Sequence, residues 1–286
     1  MNTRRTRVLT GPSVLHARHS DAMAYGAEPG PLAIAHRGGA ALAPENTLAA
    51  FGRSVALGAR YLETDIRVTA DDELVCFHDA TLDRVTDGRG PVRRHTSAAL
   101  GQVRVRGTEH IPTLVELLES FPDANVTVDL KDREAIGPLL RVLAHRPFAR
   151  RVCVAGAWDG WLGQVRAGAP EASTALGWRS LTTLITCSRT GTRAPRWLAT
   201  APFAHVPVRL GRFPVFVERL VHQAHDLGVR VVVWTANDPH VMHRLLEAGV
   251  DGIITDRPDL LREVLVSRDQ WVPMGLVREH RPAADS

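Results

Sequence analysis

The chain has 286 residues, 44% hydrophobic and 23% charged, with 35 Lys+Arg against 31 Asp+Glu. This composition suits one large or two small globular domains and excludes a disordered or low-complexity chain. The net charge of +4 gathers into no basic stripe or helix, which argues against nucleic acid as a partner, and no apolar run approaches the ~18 residues of a membrane-spanning helix.

Residues 1–30 contain an Arg4-Arg5 pair, but Gly11, Pro12 and His16 interrupt the apolar stretch a twin-arginine signal would need. The expectation is a flexible N-terminal tail and a protein of the cytoplasm without stable membrane insertion. Cys76, Cys153 and Cys187 agree: odd in number, far apart and without CxxC spacing, they read as buried thiols in a reducing compartment.

From residue 31 onward, strand-like apolar runs alternate with helical periodicity. Strands are expected at 32–37, 61–67, 74–78, 126–130, 152–155, 173–176, 229–235 and 252–255. Helices are expected at 46–57, 113–120, 139–144, 162–166, 215–227 (stopped by Gly228) and 239–248 (stopped by Gly249), with a last one starting at Pro258. About eight strand–helix units in this length point to an α/β chain folded as a (β/α)8 TIM barrel of roughly 250 residues. An open doubly wound sheet lacks its Gly-x-Gly-x-x-Gly fingerprint here. The turn-rich stretch 82–111 reads as a small rim insertion after the second or third strand. Residues 31–266 form the domain, and 267–286 read as a C-terminal tail.

Barrel strand ends carry active sites, and several motifs fall there. The first strand runs into His36-Arg37-Gly38-Gly39, offering an acid or base, a planar guanidinium for phosphate and room for backbone approach; a satisfied histidine beside a tight turn is the competing reading. Glu63 and Asp65 lie on one face of the second strand, about 7 Å apart between Cα atoms. Facing inward they would repel, and a hard divalent cation relieves that best; an outward orientation toward helix-borne arginines is the competing reading. His78 supplies a second histidine near these carboxylates, with Asp79 orienting it or beginning a turn; a phosphodiester needs one group to activate the nucleophile and one to protonate the leaving oxygen. Asp129 and Lys131 share a face, and Lys131 stands out because the other 34 basic residues are Arg. Its compact ammonium suits a phosphate oxygen, with a structural bridge to Asp129 as the competitor. Trp234 ends a late strand as a candidate aromatic wall for the substrate, and 251–258 reads as structural.

Together His36-Arg37-Gly38, Pro44-Glu45-Asn46-Thr47, Glu63-x-Asp65, His78-Asp79, Ile111-Pro112-Thr113-Leu114, Asp129-x-Lys131, Trp234-Thr235 and Gly249-Val250-Asp251-Gly252 resemble the glycerophosphodiester phosphodiesterase family over residues 32–265. The family belongs to the phospholipase-C-like phosphodiesterase barrels. The resemblance implies hydrolysis of a small-molecule glycerophosphodiester to an alcohol and sn-glycerol 3-phosphate, assisted by one divalent cation, Mg²⁺ or Ca²⁺ with Mn²⁺ as a further candidate. It implies His36 and His78 as acid and base, Glu63, Asp65 and Asp129 as metal ligands, and Arg37 with Lys131 on the phosphate. Asp129 departs from the glutamate common at that position, one methylene shorter. Two other readings carry their own signals: a membrane-surface (lyso)phospholipase, through Val92-Arg93-Arg94 and Val103-Arg104-Val105-Arg106, and a non-catalytic phosphodiester-binding barrel, which would be expected to have lost one of these groups.

Overall fold

Eight parallel strands ring a common axis in the computed structural model, which describes residues 24–210, 213–214 and 217–273. They are β1 (Leu32–Ala35), β2 (Tyr61–Val68), β3 (Asn125–Leu130), β4 (Val152–Gly156), β5 (Ser173–Thr174), β6 (Phe203–Pro207), β7 (Arg230–Trp234) and β8 (Gly252–Thr255). They pair in the order β5-β4-β3-β2-β1-β8-β7-β6, and a parallel bridge from Ala175 to Phe203 joins the ends. Each strand leads to a helix: α1 (Leu48–Ala56), α2 (Leu114–Ser120), α3 (Ile136–Leu143), α4 (Asp159–Gly168), α5 (Trp178–Thr190), α6 (Val217–His225), α7 (Pro239–Glu247) and α8 (Pro258–Ser267). This is the (β/α)8 barrel the alternation predicts.

Local signals explain where the helices begin. Thr113 and Glu116 form a reciprocal capping box at α2, Asp238 accepts from His240 and Val241 at α7, and Pro258 occupies the first turn of α8. Along β2 the side chains alternate: Leu62 and Ile66 pack outward on helices, while Tyr61 faces the barrel interior.

One expected strand changes. The run 74–78 contributes only a short strand, Leu74–Cys76, antiparallel to β2 and outside the ring, so His78 sits on a loop. Helix α5 and strand β6 carry little sequence signal: α5 is rich in Thr and Ser, which are weak helix formers, and β6 contains His205 and Pro207. The insertion lies between β2 and α2 and has its own core, including Leu82, Val85 and Leu100. Val92 and Val105 are 1% exposed in that core, and Val103, partly buried, packs against it.

Residues 24–30 and 267–273, inside the stretches read as tails, are described and pack on the barrel. Residues 1–23 and 274–286, and positions 215–216 of the predicted helix 215–227, lie outside the described residues. Tyr25 plugs the barrel floor, edge-on to Tyr61 and Phe203 with centroids 5.2 and 5.3 Å away, and its hydroxyl bonds Thr127 Oγ1 at 2.6 Å. Arg230 donates to Gly26 O, and Arg60 binds Glu28 and Pro273 O, fastening both ends of the domain under the barrel. Replacing Tyr25 with Phe keeps the ring and strands the buried Thr127 hydroxyl, so a loss of about 1–2 kcal/mol is expected in urea unfolding.

Candidate active site

At the C-terminal end of β1 the chain turns through a short 3-10 segment, His36–Gly38, with Arg37 in the left-handed region (φ 49°). That turn aims the Arg37 amide at Glu63 Oε2, 2.8 Å away. Gly38, at φ 80°, leaves no space for a side chain: a Cβ there would meet the Phe51 ring at 2.8 Å. The segment Pro44-Glu45-Asn46-Thr47 then secures three neighbours. Glu45 accepts from Arg37 Nη1 at 2.9 Å, Asn46 donates to Asp65 Oδ2 at 3.1 Å while accepting from Thr64 Oγ1, and Thr47 caps α1 through Ala50 N.

Both histidines are oriented through Nδ1. His36 Nδ1 lies 2.6 Å from Asp256 Oδ1, and His78 Nδ1 lies 2.6 Å from Asp79 Oδ1. Asp256 is itself held by Asn237 Nδ2 at 2.7 Å, and Asn237 Oδ1 accepts from Thr255 Oγ1 and Asp256 N. An aspartate on Nδ1 fixes the ring and leaves Nε2 for chemistry. His36 Nε2 is 4.0 Å from Glu63 Oε2. Burial disfavours the His36 imidazolium, but the Glu63 charge and the Asp256 bond outweigh it and hold its pKa above the usual range.

Glu63 and Asp65 are 5% and 2% exposed, as inward-facing positions of β2 require. Register places Asp129 of β3 directly beside Asp65. Lys131 Nζ reaches Asp65 Oδ1 at 2.9 Å and Asp129 Oδ2 at 2.5 Å, and Arg37 Nε is 3.3 Å from Asp65 Oδ2. The two carboxylates of β2 diverge accordingly. Burial raises the pKa of Asp65, yet Lys131 and Arg37 bring it below the usual value; burial and the Asp65 charge drive Glu63 upward. Among the described residues no ammonium or guanidinium touches Glu63, so its charged form is poorly compensated. Hard oxygen donors on adjacent strand ends, one of them short of positive charge, fit a divalent cation. The ammonium of Lys131 stands between Asp65 and Asp129, and among the described residues no group of three His, Cys, Asp or Glu side chains is already gathered as a metal cluster.

His36, Arg37, Glu63, Asp65, His78, Asp129, Lys131 and Trp234 therefore border one cavity of about 330 Å³ at the mouth of the barrel. Sequence reasoning missed several of the residues that hold them. Asp256, in a segment read as structural, orients His36; its signal was its place immediately after β8. Glu45 and Arg84 join the Arg37 and His78 ends of the site, through Arg84 Nη2 to Glu45 at 2.6 Å and Arg84 Nε to Asp79 at 2.5 Å. Arg84 belongs to the insertion and falls in no motif of the sequence. All three cysteines are free; Cys76 and Cys153 are buried, Cys187 only partly.

His205 of β6 also borders the cavity, with Nε2 buried and unpaired. Burial pushes its pKa down to about 4, so the folded chain keeps it neutral. As pH falls through the ordinary histidine value the unfolded chain takes up the proton first, and stability is lost between about pH 6.5 and 4. At pH 5 the loss is about 2 kcal/mol, and His205→Phe is expected to remove that part of the acid sensitivity in thermal melts at pH 7 and 5.

Comparison with known proteins gives a consistent result. The model of the "Glycerophosphoryl diester phosphodiesterase family" matches residues 36–260. "Probable glycerophosphodiester phosphodiesterase 2" of Mycobacterium tuberculosis is 35% identical over 246 residues, covering 85% of this chain and 93% of that protein. The glycerophosphodiester phosphodiesterase of Caldanaerobacter subterraneus is 32% identical over 250 residues, 80% of this chain and 96% of that one. Among solved structures, an Oleispira antarctica phosphodiesterase in complex with the product sn-glycerol-3-phosphate superposes with a TM-score of 0.68 at 23% identity, covering 83% of this chain and 97% of that one.

Proposed function

The chain belongs to the glycerophosphoryl diester phosphodiesterase family, and from its site we propose that it hydrolyses a small glycerophosphodiester to an alcohol and sn-glycerol 3-phosphate by two-histidine acid–base catalysis with a divalent cation. That it is an enzyme of this type follows from the family. The observation supporting the finer reading is that two histidines, each held by an aspartate at 2.6 Å, border the same cavity as buried carboxylates, Arg37 and Lys131. One imidazole removes the proton from the attacking hydroxyl and the other protonates the departing alkoxide. Arg37 and Lys131 meet the charge that develops on the phosphoryl oxygens.

Glu63, Asp65 and Asp129 are the residues that would hold Mg²⁺, Ca²⁺ or Mn²⁺. Once bound, the cation supplies Lewis-acid polarisation of a phosphoryl oxygen. Asp129, one methylene shorter than glutamate, would have to share its carboxylate between the cation and Lys131.

The test is release of sn-glycerol 3-phosphate from glycerophosphocholine and glycerophosphoethanolamine by EDTA-treated protein, with and without each ion. Product that appears only on adding an ion supports the proposal. Undiminished activity after chelation would sink the metal assignment, and no product from either diester with any ion would sink the substrate assignment. No helix among the described residues is long and apolar enough to cross a membrane.

A further inference from the structure

The cavity has two chemically distinct sides. The charged groups that line it, His36, Arg37, Glu63, Asp65, Asp129 and Lys131, all come from β1–β3 and the loops that follow them. The opposite side, from β4 to β7, is walled by Trp158, Trp161, Trp178 and Trp234 over small residues such as Ala155 and Ala175. Its one titratable lining residue, His205, is held neutral by burial.

Adjacent βα loops bring the indoles together. Trp158 is the N-cap of α4 and Trp178 opens α5. The rings of Trp158 and Trp161 lie 5.9 Å apart and are inclined by 50°, so they form two walls meeting at an angle. Trp158 and Trp178 remain 60% and 39% exposed, unusual for indoles bordering a cavity. The nearest charges in sequence are turned elsewhere. Asp159 binds the Ser180 hydroxyl and the Arg179 amide, and the Arg179 guanidinium lies over Trp197, 5.6 Å from the ring centroid. Neither lines the cavity.

A glycerophosphodiester has two arms on one phosphate. With the phosphate among Arg37 and Lys131, one arm must enter the tryptophan side. A primary ammonium would lose water there and meet no carboxylate, and an anionic head group would meet no cation. A fatty acyl chain would by itself fill a cavity of about 330 Å³ that must also admit the phosphate. A quaternary ammonium is matched by this wall: it has no N–H to satisfy, and indole faces attract a cation through the ring quadrupole.

We propose that Trp158, Trp161 and Trp178 form the subsite for the leaving alcohol and select a quaternary-ammonium alcohol. This inference rests on the phosphodiesterase reading above.

The test compares kcat/KM for three diesters of glycerol 3-phosphate: choline, ethanolamine and 3,3-dimethylbutanol, the uncharged isostere of choline. The expected result is a preference for choline of about tenfold or more over each of the others, carried mainly by KM. The double variant Trp158→Leu, Trp178→Leu should lose activity on the choline diester about tenfold more than on the ethanolamine diester. Should that variant fail to fold, tetramethylammonium decides: competitive inhibition of the wild type against the ethanolamine diester supports the subsite, and no inhibition overturns it. Hydrolysis of all three diesters with equal kcat/KM overturns the selectivity while leaving the phosphodiesterase reading intact. No product from any diester overturns both.

Discussion

Replacing His36 with Ala is expected to lower kcat for glycerol 3-phosphate release by about 10²–10⁴-fold, the range a positioned acid or base contributes. KM should change little, because Arg37 and Lys131, which bind the phosphate in the proposed mechanism, keep their carboxylate partners at Glu45, Asp65 and Asp129. The His36 ring is set by the relay Asn237 to Asp256 to His36, with contacts of 2.7 and 2.6 Å. Asp256→Asn is therefore expected to fall between wild type and His36→Ala: the ring loses its charged partner but keeps its place. Steady-state kinetics on metal-loaded protein, with circular dichroism to establish folding, checks both variants. A His36→Ala enzyme within threefold of wild type would remove the residue from the chemistry.

The same relay shows what was legible in the sequence. His36, Glu63 and Asp65 were readable because strand periodicity fixes which side chains share a face, and barrel topology fixes which end of the strand faces substrate. Asp256 was not, because its partner lies 220 positions away and only ring closure between β1 and β8 brings the two together. Lys131 was readable by composition, yet its contact with Asp65 depends on the β2–β3 register, which no local pattern states. Tyr25 escaped for a related reason. An isolated tyrosine in a polar, glycine-containing stretch has no period, and its burial follows from the open floor of a barrel formed by residues far downstream. Strand boundaries are well matched where apolar residues run unbroken, as at 252–255, whereas β6, interrupted by a histidine and a proline, is not among the expected strands.

Arg84→Ala is expected to lower kcat/KM by about 10²-fold although the residue lies in the insertion and its side chain is 45% exposed. Its guanidinium donates to both Glu45 oxygens, at 3.0 and 2.6 Å, and through Nε to Asp79 at 2.5 Å. Glu45 in turn holds Arg37, and Asp79 holds His78. Burial raises the pKa of Asp79, but its bonds to Arg84 and His78 take it down to about 2, so the carboxylate stays charged across the working range. One planar fork thereby ties Arg37 to His78. Removing it leaves two neighbouring carboxylates without their shared cation, and both the Arg37 and His78 side chains lose an anchored partner. Because exposed ion pairs alone contribute about 0–1 kcal/mol, a purely structural role would show as a small change in melting temperature with kinetics intact. The positioning role predicts an equally small change in melting temperature but altered kinetics: a fall in kcat together with a rise in KM, and incomplete recovery in Arg84→Lys, whose single ammonium cannot span two carboxylates in the geometry of the fork. The Arg84→Ala, Asp79→Ala double variant sharpens the test. If the arginine acts on His78 through Asp79, that part of its effect disappears once Asp79 is gone, and the two losses combine to less than their product. Fully multiplicative losses would show that Arg84 does not act through Asp79.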